Sequence, residues 1–239
     1  RRSVSVALMV HGRLSPEERR KQILVAARTL ISQAGVESVR VEDILQQLSL
    51  SKGGFYHHFR SLDEVLRELI TEDLAGLLED LRYRTVAAKD SIDALIALFD
   101  FGSDDRQGSP GILPFFSSRG HKLQYLEVLE DVFYEPLGAI LTEILRAGMA
   151  ADELRPGSPS SLALIFQAVN RQFNRQAILD EATEYLADER QLALRMLFRE
   201  LGVLEEPRVQ SFLRSWTEEQ TGPRRGREKK ERIDEGKER

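Results

Sequence analysis

The chain has 239 residues, 41% of them hydrophobic and 31% charged, with a formal net charge of −5. That length supports one large domain or two smaller ones around a real apolar core, and the absence of cysteine excludes disulfides, thiolate zinc sites and a cysteine nucleophile. The charge is uneven: residues 1–62 sum to +5, residues 63–221 to −13 and residues 222–239 to +3, a basic module on an acidic body that points to a nucleic-acid contact at one end.

Residues 1–14 read as a flexible arm. Arg1 and Arg2 precede the apolar run VSVALMV, which is far too short to span a membrane. The polar stretch HGRLSPEERR after it offers no small-residue cleavage motif. Met9 is a candidate native start, and a cytoplasmic location with no membrane partner is expected.

The first helix opens at SPEE, with Ser15 as N-cap, Pro16 at the first helical position and Glu18 closing a capping box. Ile23, Ala27, Leu30, Ile31 and Ala34 recur at three- and four-residue steps, and Gly35 suits a left-handed C-terminal residue. A second, short helix fits VEDILQQL, with Val41, Ile44, Leu45 and Leu48 available for burial. After a turn at Ser49–Leu50, Ser51 caps a third helix beginning at Lys52. The run SLDE at 61–64 is another capping box, so a fourth helix starts near Leu62. Two very short, tightly joined helices inside such a set suggest a helix-turn-helix.

The segment SKGGFYHHF, residues 51–59, carries the sharpest signal. A glycine inside a helix costs roughly 1 kcal/mol relative to alanine, so the pair Gly53–Gly54 needs a reason. In a helix-turn-helix the start of the second helix enters the major groove, and absent side chains there let the backbone approach DNA. Lys52 supplies a charge that can donate to a guanine edge. Tyr56, His57 and His58 carry donors suited to phosphate oxygens, while Phe55 and Phe59 form an inner face against Ile44 and Leu48. Adjacent histidines cannot share one helix face, which makes His57–His58 a poor metal pair. The chain contains neither G-x-x-x-x-G-K-[ST] nor G-x-G-x-x-G, so no nucleotide-cradling loop is supported. No cofactor and no metal are expected.

The stretch LSLSKGGFYHHFRSLDEVL resembles the DNA-binding signature of the TetR (tetracycline-repressor-like) family of bacterial regulators, whose usual run is close to GVSKGxLYHHFxSKEEL. The likeness covers residues 15–81 well; beyond them the helical layout alone agrees. The resemblance implies an all-α homodimer that binds a palindromic double-stranded DNA operator, usually represses, and lets go when a small-molecule effector enters its larger C-terminal domain. It puts Ser51, Lys52, Gly53 and Gly54 where base and phosphate contacts are made, and Tyr56, His57 and His58 on phosphate-contacting positions. Three residues depart from the pattern. Ser49 stands at the turn glycine, where it bears a conformational cost. Arg40 replaces the threonine that opens the second helix and touches a phosphate. Leu62 replaces a lysine at the start of the fourth helix, which leaves Arg60 as a substitute phosphate contact.

Farther along, TVAAKDSIDALIALFDF carries Ile92, Leu95, Ile96 and Phe99 in helical phase, and the glycine- and proline-rich residues 100–114 read as a loop. A long helix is expected from Leu123 to Met149, kinked or split by Pro136. After the connector RPGSPSS, one helix continues to Leu179, another spans residues 183–201 before Gly202, and a last one covers PRVQSFLRSWTEEQ. By resemblance, residues 158–180 and 183–201 pair with their copies across a two-fold axis. Leu162, Ile165, Phe166, Val169 and Phe173 supply an apolar face wide enough for core and interface together. Arg171 and Arg175 either meet Glu181, Glu184 or Asp188 of a partner or are solvated.

Candidate effector contacts are Phe115, Phe116, His121, Tyr125, Phe133, Tyr134, Phe166, Asn170 and Phe173, an aromatic set with a few polar groups. Asn170 stands out because an amide among apolar helix positions must find a partner. Ser117 and His121 lie four apart, as a nucleophile and its base do. No G-x-S-x-G surrounds Ser117 and no strand is evident, so an enzyme is not expected. Residues 222–239 lack an apolar stripe and read as a disordered charged tail.

The expected organisation is all-α: an arm over 1–14, a three-helix helix-turn-helix domain over 15–61, a larger helical ligand-binding and dimerisation domain over 62–221, and the tail. The expected function is a ligand-responsive transcriptional regulator. The alternative is a helical DNA-binding protein without a ligand, a constitutive or architectural binder.

Overall fold

A computed structural model of the chain describes residues 15–100, 121–179 and 186–221, all of them in helices, turns or connecting segments, with no strand among them. The arm, the loop around residues 101–114, Phe115, Phe116, Ser117, residues 183–185 and the tail lie outside the described residues. Two compact units form, with a boundary between Asp73 and Leu74 inside one continuous helix.

In the first unit, helix α1 (Pro16–Ala34) starts as its capping box predicts. The Glu18 N–H donates to Ser15 Oγ at 3.1 Å, and the Ser15 N–H donates to the Glu18 carboxylate at 2.7 Å. Its buried face is Ile23, Leu24, Ala26, Ala27 and Ile31. Gly35 takes φ 80° with ψ 154°; φ is positive as expected, but the backbone is extended in ψ rather than left-handed helical. Helix α2 (Val41–Leu48) follows a single 3₁₀ turn, and α3 spans Lys52–Tyr56. Between them Ser49 adopts φ 50°, ψ 42°, the left-handed region, at a cost of roughly 1–2 kcal/mol for a residue with a Cβ. Burial of Ile44, Phe55 and Phe59, each at most 1% exposed, outweighs that cost, since each such side chain contributes about 1.5–3 kcal/mol. Helix α3 ends at Tyr56, so Phe59 reaches the core from the turn after it rather than from the helix itself; the two phenylalanine rings lie 6.0 Å apart.

Helix α4 (Leu62–Val86) contributes Val65, Leu66, Leu69 and Ile70 to this first core. Its start is shared between two residues. The Glu64 N–H donates to Ser61 Oγ at 3.2 Å, while the Glu64 carboxylate accepts from the Arg60 N–H at 2.7 Å.

The second unit holds the rest of α4, α5 (Ser91–Phe99), α6 (Lys122–Val128), a π-helical segment (Leu129–Tyr134), α7 (Glu135–Ala150), α8 (Pro159–Leu179), α9 (Leu186–Glu200) and α10 (Pro207–Thr221). The long helix is divided into three segments, with a π-helical stretch just ahead of Pro136, which sits in the first turn of α7. Pro136 has no N–H, and its ring crowds the preceding turn; the widened π turn before it absorbs both effects. Helix α7 packs on α5 and α8, and α9 packs on α8 and α10. Asp90 caps α5 by accepting from the Asp93 N–H at 2.9 Å, and Arg208 of α10 donates to Asp90 at 2.7 Å and Asp93 at 2.6 Å. Burial works against the Asp90 carboxylate, but those donors hold it below the usual aspartate range. Among the described residues no helix is long and apolar enough to cross a membrane.

Candidate nucleic-acid interface

The Ser51 hydroxyl caps α3 by accepting from the Gly54 N–H at 3.1 Å, which fixes where the helix starts. Its two glycines have different reasons. A Cβ on Gly54 would lie 2.7 Å from Leu50 Cδ1, so a larger residue there would push the Leu50 side chain aside. A Cβ on Gly53 would meet nothing within 4 Å, and Gly53 is exposed. Nothing inside the fold asks for glycine at that position.

Around Gly53 the structure gathers exposed groups. Ser51, Lys52, Tyr56, His57 and Arg60 are exposed, and Phe55 is sealed beneath. Lys52 Nζ stands 3.5 Å from a Glu42 carboxylate oxygen on α2, both side chains well exposed. Such a pair contributes well under about 1 kcal/mol, so it parks the ammonium without tying it down. Arg40 is the exposed N-cap of α2. Its N–H donates to Asp43 at 2.8 Å, while its guanidinium, having no acceptor, takes no part in the cap.

His57 and His58 pack edge to face with ring centres 5.0 Å apart. His58 is half-buried. Its imidazole is held below the ordinary value, first by burial and then by the charges of His57, Arg20 and Arg19.

One residue that the sequence reading passed over organises this face. Arg20, on α1, donates to the carbonyl of His58, pairs with Glu68 and lies 3.6 Å from Glu64 on α4, and its guanidinium stacks 4.0 Å over the Phe59 ring. Its pKa is raised, chiefly by the Glu68 hydrogen bonds. Arg28, two turns on, pairs in the same way with Glu72 and Asp73. The first helix therefore holds both the turn after α3 and the first half of α4.

The described candidate effector residues fall in both units. His121 groups with the first unit and is half-buried. In the second unit Phe133 and Tyr134 are buried, and Tyr125, Phe166, Asn170 and Phe173 are half-buried. The Phe166 ring packs 4.8 Å from Phe99, as a core residue does. One helical turn beyond Asn170, the Asn174 amide donates to the Tyr134 hydroxyl at 3.1 Å and accepts from Arg190. Arg171 stays within the chain, 3.3 Å from Glu130 and 4.9 Å over the Tyr134 ring. Among the described residues no group of three or more histidines and carboxylates is arranged to hold a metal.

Comparison with known proteins agrees with this geometry. Residues 23–69 match the sequence model described as "Bacterial regulatory proteins, tetR family". The HTH-type transcriptional regulator YfiR of Bacillus subtilis is 27% identical over 164 residues, covering 64% of this chain and 77% of its own length. The HTH-type transcriptional repressor KstR2 of Rhodococcus jostii is 27% identical over 158 residues, with coverages of 62% and 74%. Two solved structures share the fold. RolR, crystallised with resorcinol, gives a TM-score of 0.52 at 16% identity over 87% of this chain and 95% of its own. Thermus thermophilus FadR, a repressor crystallised with lauroyl-CoA, gives 0.51 at 21% identity over 79% and 97%.

Proposed function

We propose that this chain, a TetR-family DNA-binding regulator, binds a palindromic operator as a homodimer and releases it when a small molecule occupies the C-terminal unit. The observation that carries this reading is Gly53: an exposed helical glycine with no partner to accommodate inside the fold, ringed by donors. On DNA the bare backbone at Gly53 lies against a groove wall. Ser51 and Lys52 face base edges and phosphates. Tyr56, His57, His58, Arg40 and Arg60 hold phosphates that set register without reading sequence. Gly54 leaves room for the Leu50 side chain beside the start of α3. In this scheme Lys52 leaves Glu42 for the DNA, and dimerisation sets the spacing of the two half-sites.

Two features support the dimer and the effector. Leu164, Ile165, Leu192 and Met196, on the adjacent helices α8 and α9, are 57–68% exposed, an apolar face of the kind that a second copy covers. Relatives of the fold have been crystallised with resorcinol and lauroyl-CoA. Repression is the sense we infer, because the Rhodococcus relative bears the name of a repressor. A coupling of about 1–3 kcal/mol between effector and operator suffices for a useful response.

Fluorescence anisotropy with DNA from upstream of the protein's own gene, against a scrambled duplex and across a salt series, tests this directly. Wild type is expected to prefer the upstream duplex. Lys52→Ala is expected to weaken binding and to lower the salt slope by about one unit, the signature of one lost phosphate contact. A protein that binds neither duplex at low salt refutes the helix-turn-helix reading. The alternative, a constitutive or architectural binder, predicts that no small molecule releases the complex.

A further inference from the structure

The second unit gathers two arginines around Tyr134, and its described residues leave one of them, Arg190, without a carboxylate. Helix α8 presents Gln167, Arg171 and Asn174 to the π segment at four- and three-residue steps: Gln167 donates to the Tyr134 carbonyl, Arg171 stacks on the Tyr134 ring, and Asn174 donates to the Tyr134 hydroxyl. From α9, Arg190 donates to Asn174 Oδ1, a neutral acceptor. Both Arg171 Nε and Arg190 Nε are buried without a hydrogen-bond partner among the described residues. Leaving such a donor unmet costs about 1–3 kcal/mol, more for a charged group, and buried charges are ordinarily paired.

The cluster has one carboxylate, Glu130, on Arg171; among the described residues none pairs with Arg190. Burial holds the Arg190 guanidinium below its ordinary value, the behaviour of a cation short of an anion. Arg171 and Glu130 are each about half open to solvent at 41% and 53%, so one side of the cluster faces solvent. The Tyr134 hydroxyl, which accepts from Asn174, keeps its own hydrogen to donate.

We infer that this cluster is the head-group site of the effector, and that the effector is an organic carboxylic acid bound as its carboxylate. This rests on the ligand-responsive reading above and names the class of ligand. The carboxylate meets Arg190 at its unpartnered Nε once the side chains that cover it move aside, taking the charge-assisted hydrogen bond that a guanidinium offers an oxyanion. Arg171 Nε and the Tyr134 hydroxyl complete the donor set. The Phe133 ring lies 6.0 Å from that of Tyr134, which puts apolar surface beside the head group.

The test uses the full chain without DNA. Octanoate and phenylacetate, each beside its primary amide, are titrated together with inorganic phosphate while melting temperature and calorimetric heat are followed. Both acids are expected to bind and to raise the melting temperature, with each amide at least tenfold weaker. Arg190→Met is expected to lose tenfold or more of the acid affinity, while its unliganded melting temperature holds or rises because an uncompensated charge is gone. Arg190→Lys, which keeps the charge and loses the fork, is expected to recover part of the binding. Acids and amides that behave alike overturn the proposal. So does an Arg190→Met protein that melts lower and binds the acids unchanged, since the guanidinium is then a structural strut. Arg190-dependent binding of phosphate with none of the acids overturns the carboxylate assignment. Because DNA is absent, a chain that fails on the operator can still pass here, and a chain that binds operator but no acid fails here alone.

Discussion

Glycine inside a helix costs about 0.5–1 kcal/mol relative to alanine, and at Gly53 no contact within the fold offsets it. Gly53→Ala is therefore expected to stabilise the free protein, raising the melting temperature by about 2–4 °C per kcal/mol for a chain of this size. The same methyl intrudes on the DNA side, so operator affinity should drop in the anisotropy assay. A substitution that loses stability and keeps affinity would show that the glycine serves the fold. His58 gives a second handle. The unfolded chain binds its proton near pH 6.5, and the folded value lies lower. As pH falls through about 6.5 the unfolded state takes up the proton first, and stability is lost until the folded imidazole also titrates. A phosphate beside the ring favours the charged form, so in the complex the sign reverses. Operator affinity is expected to rise as pH drops below about 7, and His58→Gln should flatten that rise at constant ionic strength. Both positions stood out in the sequence because their oddity is local. Arg20 did not, because its Glu68 partner is 48 residues away, and an arginine on an amphipathic helix reads as solvated until the tertiary contact is seen.

Helix starts were legible for the same reason: Ser15 with Glu18, Ser51 and Ser61 each act within three or four residues of themselves. The π segment was hidden. Leu126, Leu129, Phe133, Leu137, Ile140, Leu141 and Ile144 are all buried, but so are Val128, Tyr134 and Leu145, a stripe wide enough to hide a one-residue shift of phase. Pro136 signalled trouble without specifying its form. Asn170 stands out in the sequence as an amide among apolar positions, while the amide that bonds Tyr134 is Asn174, because no spacing rule says which of two amides one turn apart faces that ring. Contacts between distant helices also set what a glycine can tolerate. Gly148 on α7 is buried, and a Cβ there would lie 2.5 Å from Leu154 Cδ1 and 2.7 Å from Ser91 Cβ. Ser91 Cβ cannot swing away, being one bond from the backbone of α5. Gly148→Ala is expected to cost about 1–3 kcal/mol by overpacking, seen as a lower urea midpoint at unchanged slope. A midpoint equal to wild type would mean that α5 and α7 slide freely on each other.

At the scale of the whole molecule the all-α class followed from periodicity and capping alone, whereas the division between core and partner-facing residues on α8 did not. Ala163 is buried and Phe166 half-buried, while Leu164 and Ile165 are 68% and 63% exposed; a run of apolar residues on both sides of a helix has no phase to read. If a second copy covers that face, Ile165→Glu combined with Met196→Glu is expected to yield a monomer by sedimentation, with operator affinity cut as one half-site is lost. A dimer that survives both changes places the interface elsewhere. The π segment has a further consequence, for comparison across relatives. A π turn needs one more residue to close than an α turn, so every side chain after it is rotated by about 100° relative to an uninterrupted helix. Aligning this chain with a relative whose helix is regular requires a one-residue gap between Leu129 and Tyr134. Without that gap, equivalences from Glu135 onward would transfer each residue to the wrong face of α7.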